Sequence, residues 1–210
     1  SIYKPGALKS FKLGGNSNFG ASTDVGFGFK YETDGGFAFA SNIVDKNADT
    51  TGLMGKTSIS KWDTQIAYTT DRWHVSGTYS DAQNWTSQAY NATALGAGMK
   101  GSTGDTTGYA LRGYWMPEES GSAVPEISVG YDIKLADQAA SGAAKEATSY
   151  MVGLTWKDMF QPDDRIGLAF TQPLKVTECN GTCSSTEVDP FVWEAYYAYR
   201  LNDSMEVRPA

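Results

Sequence analysis

The chain has 210 residues and a formal net charge of −7, with 17 Lys and Arg against 24 Asp and Glu. An acid excess argues against a nucleic-acid binder, which needs a basic face to meet phosphates. Hydrophobic residues are only 40% of the chain, yet it holds 12 Tyr, 9 Phe, 6 Trp and 23 Gly, a mixture that suits an all-β protein with one apolar face.

Residues 1–23 form a poorly defined N-terminal segment, where Lys9, Phe11 and Leu13 alternate but Gly14-Gly15-Asn16 interrupts them. A first strand is expected over 24–33, with Val25, Phe27, Phe29 and Tyr31 on one face and Gly26, Gly28, Lys30 and Glu32 on the other. Successive side chains on a strand point to opposite faces, so such alternation separates an aromatic side from a polar side. Asp34-Gly35-Gly36 turns the chain into a second strand, 36–44. Strands follow over 61–69, 73–80, 108–116, 126–135, 148–157 and 166–172, each keeping the same alternation. The last two lie in DPFVWEAYYAYRLNDSMEVRPA, Asp189–Ala210, on either side of a turn at Leu201–Ser204. About ten strands result.

The connections alternate in length. Tight turns at Gly35, Asp71, 117–125, 158–165 and Asn202 alternate with longer links at 45–60, 81–106, 136–147 and 173–189. Ala and Lys in 136–147 suit a short helix. Such a meander, short at one end and long at the other, predicts an antiparallel up-and-down transmembrane β-barrel rather than a Greek-key sandwich. No apolar run is long enough for a transmembrane helix, which leaves barrel strands untouched. Trp62 and Tyr68, Trp73 and Tyr79, Tyr109 and Trp115, and Tyr150 and Trp156 are each six residues apart. That is about 20 Å along a strand, close to the height of an apolar band edged by aromatic girdles. Cys179 and Cys183 are expected to pair as a local disulfide, which implies an oxidising compartment.

Two stretches resemble one family. Gly35–Trp85, with GGFAFASNIV and TQIAYTTDRWHVSGTYS, and Thr148–Ala210, with SYMVGLTWKDMF, QPDDRIGLAFTQP and EAYYAYRLND, are similar to cyanobacterial outer-membrane porins of the carbohydrate-selective (OprB-like) group, also called iron-uptake porins. The resemblance implies a barrel of about 16 strands, trimeric in outer-membrane lipid and passing small solutes. It implies neither an enzyme nor a cofactor. The family's surface-layer-homology domain is not seen in 1–210, and the chain opens on Ser1. With about ten strands rather than 16 and no closing aromatic strand before Pro209-Ala210, it is read as a single barrel domain and a fragment, roughly the C-terminal two-thirds of a barrel with its end missing; a smaller complete barrel with less lumen is the alternative.

If the aromatic face meets lipid, the other face lines the lumen. The expected pore-lining residues are Lys30, Glu32, Asp63, His74, Arg112, Asp132, Lys134, Lys157, Glu194, Arg200, Glu206 and Arg208, with Lys61 and Glu126 beside them. Basic and acidic residues nearly balance there, so the net acidity falls on the connections and suggests an acidic vestibule. Arg112, Glu194 and Arg200 are the candidates for a constriction. His74, the sole histidine, reads as an ordinary polar wall residue, and no metal ligand set or nucleophile–base pair is apparent. The expectation is an outer-membrane porin for passive diffusion of small hydrophilic solutes. The alternative is a soluble or cell-surface all-β protein that stacks its aromatics on carbohydrate.

Overall fold

A computed structural model of the chain describes residues 25–46, 48–84, 105–119, 121, 123–137, 139, 141–183, 191–202 and 205–207. They form an all-β structure whose strands are β1 (Val25–Glu32), β2 (Phe37–Lys46), β3 (Ile59–Thr69), β4 (Trp73–Gln83), β5 (Thr106–Trp115), β6 (Glu126–Ala136), β7 (Ala144–Lys157), β8 (Arg165–Cys179), β9 (Val192–Asn202) and β10 (Met205–Val207). A short helix, α1 (Ala48–Thr51), lies in the connection after β2. Every strand pairs antiparallel with the next in sequence, in the order β1 to β10. No pairing joins β1 to β10 among the described residues.

The register keeps the expected faces intact from β1 to β9, apart from the β7–β8 segment before Tyr150, where it shifts. Phe37 opposes Tyr68, Tyr68 opposes Val75, Trp73 opposes Trp115 and Trp115 opposes Ile127. A slip of one residue would send every ring to the other side. The two faces differ sharply in exposure. On the aromatic face Phe27 is 72% exposed, Leu111 61% and Trp193 64%. On the polar face Ala67, Ser76, Asp132, Met151 and Ala198 are all 2% exposed or less. This is the reverse of a soluble sandwich, which buries its aromatic side under a second sheet. No second layer covers either face among the described residues.

Curvature accounts for the crowding of the polar face. Asp63, Ser80, Gly108 and Lys134 stand in one lateral row on β3, β4, β5 and β6. On a flat sheet the ends of that row are about 14 Å apart. The Lys134 side chain lies over Gly108 beside Ser80 and covers part of that span itself. Residues on a concave face converge and shelter one another, while those on the convex face splay.

The turns at one end are tightly bonded. Thr33 donates its N–H to Phe37 O at 2.8 Å, and Gly36 N–H reaches Thr33 O at 3.1 Å. Gly36 has φ +85°, and a Cβ there would sit 2.0 Å from Thr69 O, so the turn requires glycine twice over. Between β7 and β8, Asp158 and Asp163 adopt left-handed φ of 56° and 65°. Asp164 sits at the centre of this turn and is fully buried.

Four expectations about the connections are corrected. The loop expected at 173–189 begins later, because β8 runs on to Cys179 opposite an equally extended β7. Register shifts opposite Glu146 and Tyr150 absorb the segment around Pro173, which cannot donate to a ladder. Ala144–Ala147, expected in a loop or short helix, are part of β7, and the only described helix is α1. Strand pairing with β8 here overrides alanine's helix propensity. The link 116–125 spans ten residues against seven for 137–143, so the short-long alternation fails at that pair. The strand also continues through Leu201 and Asn202, where a turn was expected. The N-terminal segment 1–23 lies outside the described residues.

Candidate functional site

The polar face of the sheet gathers most of the singled-out residues. Lys30 and Glu32 lie on β1, Asp63 on β3, His74 on β4, Arg112 on β5, Asp132 and Lys134 on β6, Lys157 on β7, Glu194 and Arg200 on β9, and Glu206 on β10. Arg208 lies outside the described residues. Side chains of opposite charge are close along this face. Lys30 Nζ lies 2.5 Å from Glu32 Oε1, Lys61 Nζ 3.1 Å from Asp63 Oδ2, and Arg112 Nη2 2.8 Å from Asp132 Oδ1. Lys157 pairs with Glu126 on the neighbouring strand. Arg165 Nη2 and Glu206 Oε2 are 4.0 Å apart. The polar face is thus nearly neutral at short range, with charges arranged in pairs rather than as one sign.

Two of these pairs are buried. Arg112 and Asp132 sit near the middle of the sheet. Ser149 Oγ donates to Asp132 Oδ2 at 3.2 Å, and Arg112 Nη1 donates to Leu111 O at 2.7 Å and Tyr131 O at 3.3 Å. The Lys61–Asp63 pair is less complete. Neither Asp63 oxygen receives an aligned donor, although Lys61 lies within ion-pair distance and Lys134 approaches from β6. Ser76 Oγ, Ser80 Oγ and Thr106 Oγ1 also lack a protein partner while being buried. Such groups are solvated by water in native structures, because leaving them dry costs about 1–3 kcal/mol each.

His74 is buried, and its Nδ1 lies 2.8 Å from Thr69 Oγ1. No group of three or more His, Cys, Asp or Glu that could hold a metal occurs among the described residues. The three constriction candidates are not brought together. Arg112 is held at mid-sheet, and Glu194 opposes Ala169 on β8. Arg200 lies toward the turn end, where its Nη1 meets Asp163 Oδ2 at 3.0 Å. Lys61 is the residue undervalued from sequence. Its weight comes from its buried pairing with Asp63, whose neighbours across the sheet include Gly108 and Lys134.

The aromatic face has its own order. Trp73 and Trp115 meet edge to face at 6.5 Å, with the Arg72 guanidinium 5.8 Å from the Trp115 ring. Phe37 and Tyr68 lie 4.6 Å apart, and Tyr79 and Tyr109 5.6 Å apart. Between these levels the exposed residues are aliphatic, among them Ile66, Val75, Leu111, Val129 and Val152. Two of the indole N–H groups find partners: Trp62 Nε1 donates to Ser41 Oγ at 2.8 Å and Trp156 Nε1 to Ala123 O at 2.9 Å.

At the end of β8, Cys179 and Cys183 form a disulfide with S–S 2.03 Å. Asn180 inside this small loop clamps the β6–β7 link. Its Nδ2 donates to Ala139 O at 2.7 Å and its N–H to Ala143 O at 3.0 Å, while Gly142 N–H reaches Asn180 O at 2.8 Å. Ala139 is thereby held in an apolar cluster with Ala136, Ala144, Ala147, Val176 and Cys179. No protein-family model matches the chain, and no curated protein matches it in sequence.

Proposed function

We propose that this chain forms wall strands of an outer-membrane β-barrel porin, through which small hydrophilic solutes pass by diffusion. The observation that carries the reading is the inversion of the two faces. A single antiparallel sheet turns its large aromatic and aliphatic residues outward and shelters its small and charged ones. Lipid is the solvent that suits such an outer face, with aliphatic residues at mid-height and Trp and Tyr at two levels. A water-filled interior suits the paired charges and unpartnered hydroxyls of the other face. A carbohydrate-binding sandwich would need a second sheet over the aromatic side, and the described residues supply none.

The reading requires the edges of β1 and β10, which have no partner strand among the described residues, to be paired with each other or with further strands, because open edges cannot face hydrocarbon. No catalytic step and no cofactor enter it. Planar-bilayer recording on the natural full-length protein, extracted from membranes in detergent, tests it. Stepwise ohmic conductance is expected. Folded protein that stays soluble without detergent and gives no conductance would overturn the reading in favour of a binding protein.

A further inference from the structure

We infer that Gly130 is a specificity-determining residue: it is the notch that parks Arg112 against the wall and so sets the ion preference of the pore. The functional half of this inference rests on the porin reading, and the structural half on geometry alone.

Arg112 on β5 stands directly opposite Gly130 on β6, and Gly130 opposite Met151 on β7. A Cβ on Gly130 would lie 2.9 Å from Met151 Cγ and 3.2 Å from both Arg112 Cδ and Arg112 Nη1. Both long side chains therefore lie across the glycine from opposite sides. Lying flat brings the guanidinium within ion-pair distance of Asp132 Oδ1, at 2.8 Å, and into hydrogen bonds with Leu111 O at 2.7 Å and Tyr131 O at 3.3 Å. Ser149 holds the other Asp132 oxygen at 3.2 Å, which fixes the carboxylate as the docking point. Arg112 shares this shelter with Lys61 and Lys134, which are also buried, and differs from three other long cations of this face. The side chains of Lys30, Lys157 and Arg200 are 48%, 40% and 39% exposed, while that of Arg112 is 9% exposed.

Parked in this way, Arg112 takes little of the pore's cross-section and its charge is cancelled by Asp132. Released, the same side chain would project from mid-wall. It would narrow the opening and present a cation that attracts anions and repels cations. A methyl group at this position would push Met151 Cγ aside and press on the Arg112 stem, and a planar fork held by several fixed partners has little slack to take up such a shift.

The test is Gly130→Ala in the natural full-length protein, read in two ways. The first is labelling with an arginine-selective dicarbonyl followed by mass spectrometry. Arg112 is expected to be protected in the parent and modified in G130A, while labelling of Arg200 stays the same in both. The second is single-channel conductance and reversal potential under a potassium chloride gradient. Conductance is expected to fall and the reversal potential to move toward the chloride value. Adding Arg112→Ala to G130A should abolish both changes. If G130A fails to fold, Asp132→Asn replaces it, since removing the docking charge should also expose Arg112 to the reagent. Equal protection of Arg112 in the parent and in the folded variants would overturn the parking geometry. Changed labelling with unchanged conductance and reversal potential would overturn the role in ion preference. A parent that gives no channel at all would overturn the porin reading instead, and the labelling result would still stand or fall on its own.

Discussion

The two faces of the sheet are made by the same strands, residue by residue in alternation, yet they obey opposite rules. On the aromatic face, large side chains stand apart and remain open. On the polar face, small residues are covered by the long side chains of neighbouring strands: Tyr196 over Gly167, Arg112 and Met151 over Gly130, Lys134 over Gly108. Burial here marks concavity rather than hydrophobicity. Apolar residues inside is a one-way rule, and an aromatic band left outside is the informative exception. The charges follow suit, since the exposed face carries almost none at mid-height while the sheltered face carries them in pairs.

The largest expected effect breaks a pair on the sheltered face. Asp63→Ala leaves the buried Lys61 without its carboxylate while the buried Lys134 remains within electrostatic range. Removing one member of a buried ion pair costs about 3–5 kcal/mol, so urea unfolding in detergent should show a loss of that order. Adding Lys61→Met should recover much of it, because an apolar replacement for the whole pair is often neutral. A loss no larger than an exposed pair's would mean that water reaches this row freely.

Next in size is a direct contest between the faces. Leu111→Arg places a charge in the middle of the aromatic face, and Thr78→Arg places one on the polar face of the neighbouring strand. In lipid the first should cost about 2–4 kcal/mol, measured by folding into vesicles. Thr78→Arg should cost less. If Leu111→Arg stays within about 0.5 kcal/mol, as an ordinary exposed substitution does in water, the outward face does not meet hydrocarbon.

A smaller effect concerns the clamp at the end of β8. Replacing Cys179 and Cys183 by Ser releases a short closed loop, worth about 2 kcal/mol on the loop-entropy account. The loss should be local. Hydrogen exchange should quicken at Gly142 and Asn180, whose N–H groups bond across the clamp, and stay unchanged at the β3–β4 ladder. Uniformly faster exchange would make the disulfide a support of the whole sheet.

How much of this is legible in the sequence depends on whether a feature is carried by residue type or by distant pairing. The faces and strand order are carried by type. Trp62, Ile66 and Tyr68 against Asp63, Gln65 and Ala67 leave one register that keeps each set together. The extension of β8 is not. Pro173 reads as a stop, and only the long partner β7 and the register shifts opposite it allow pairing to resume through Lys175–Cys179. The charged residues were found, but not their arrangement. Nothing local separates Arg112, which lies parked, from Arg200, which reaches a turn carboxylate. The difference is a glycine on the next strand.

Asp164 shows the same limit and gives the smallest of the expected effects. In sequence it is a second aspartate after Asp163. In the structure it accepts N–H bonds from Met159 at 2.8 Å, Phe160 at 3.0 Å and Gln161 at 3.2 Å, and the Tyr197 hydroxyl at 3.1 Å. Burial alone would raise its pKa, but these four donors outweigh burial and hold the carboxyl below the ordinary carboxylate value. A group with a depressed folded pKa stabilises fully above its unfolded value, about 3.9, and loses that contribution as pH falls through the folded value. Stability of the parent should therefore decline below about pH 4. Asp164→Asn cannot ionise and turns an amide toward N–H donors, so it should start lower at neutral pH and lack that part of the acid decline. Parallel acid profiles for parent and variant would show that other carboxylates govern the decline, and that the turn draws its order from the left-handed backbone of Asp158 and Asp163 instead.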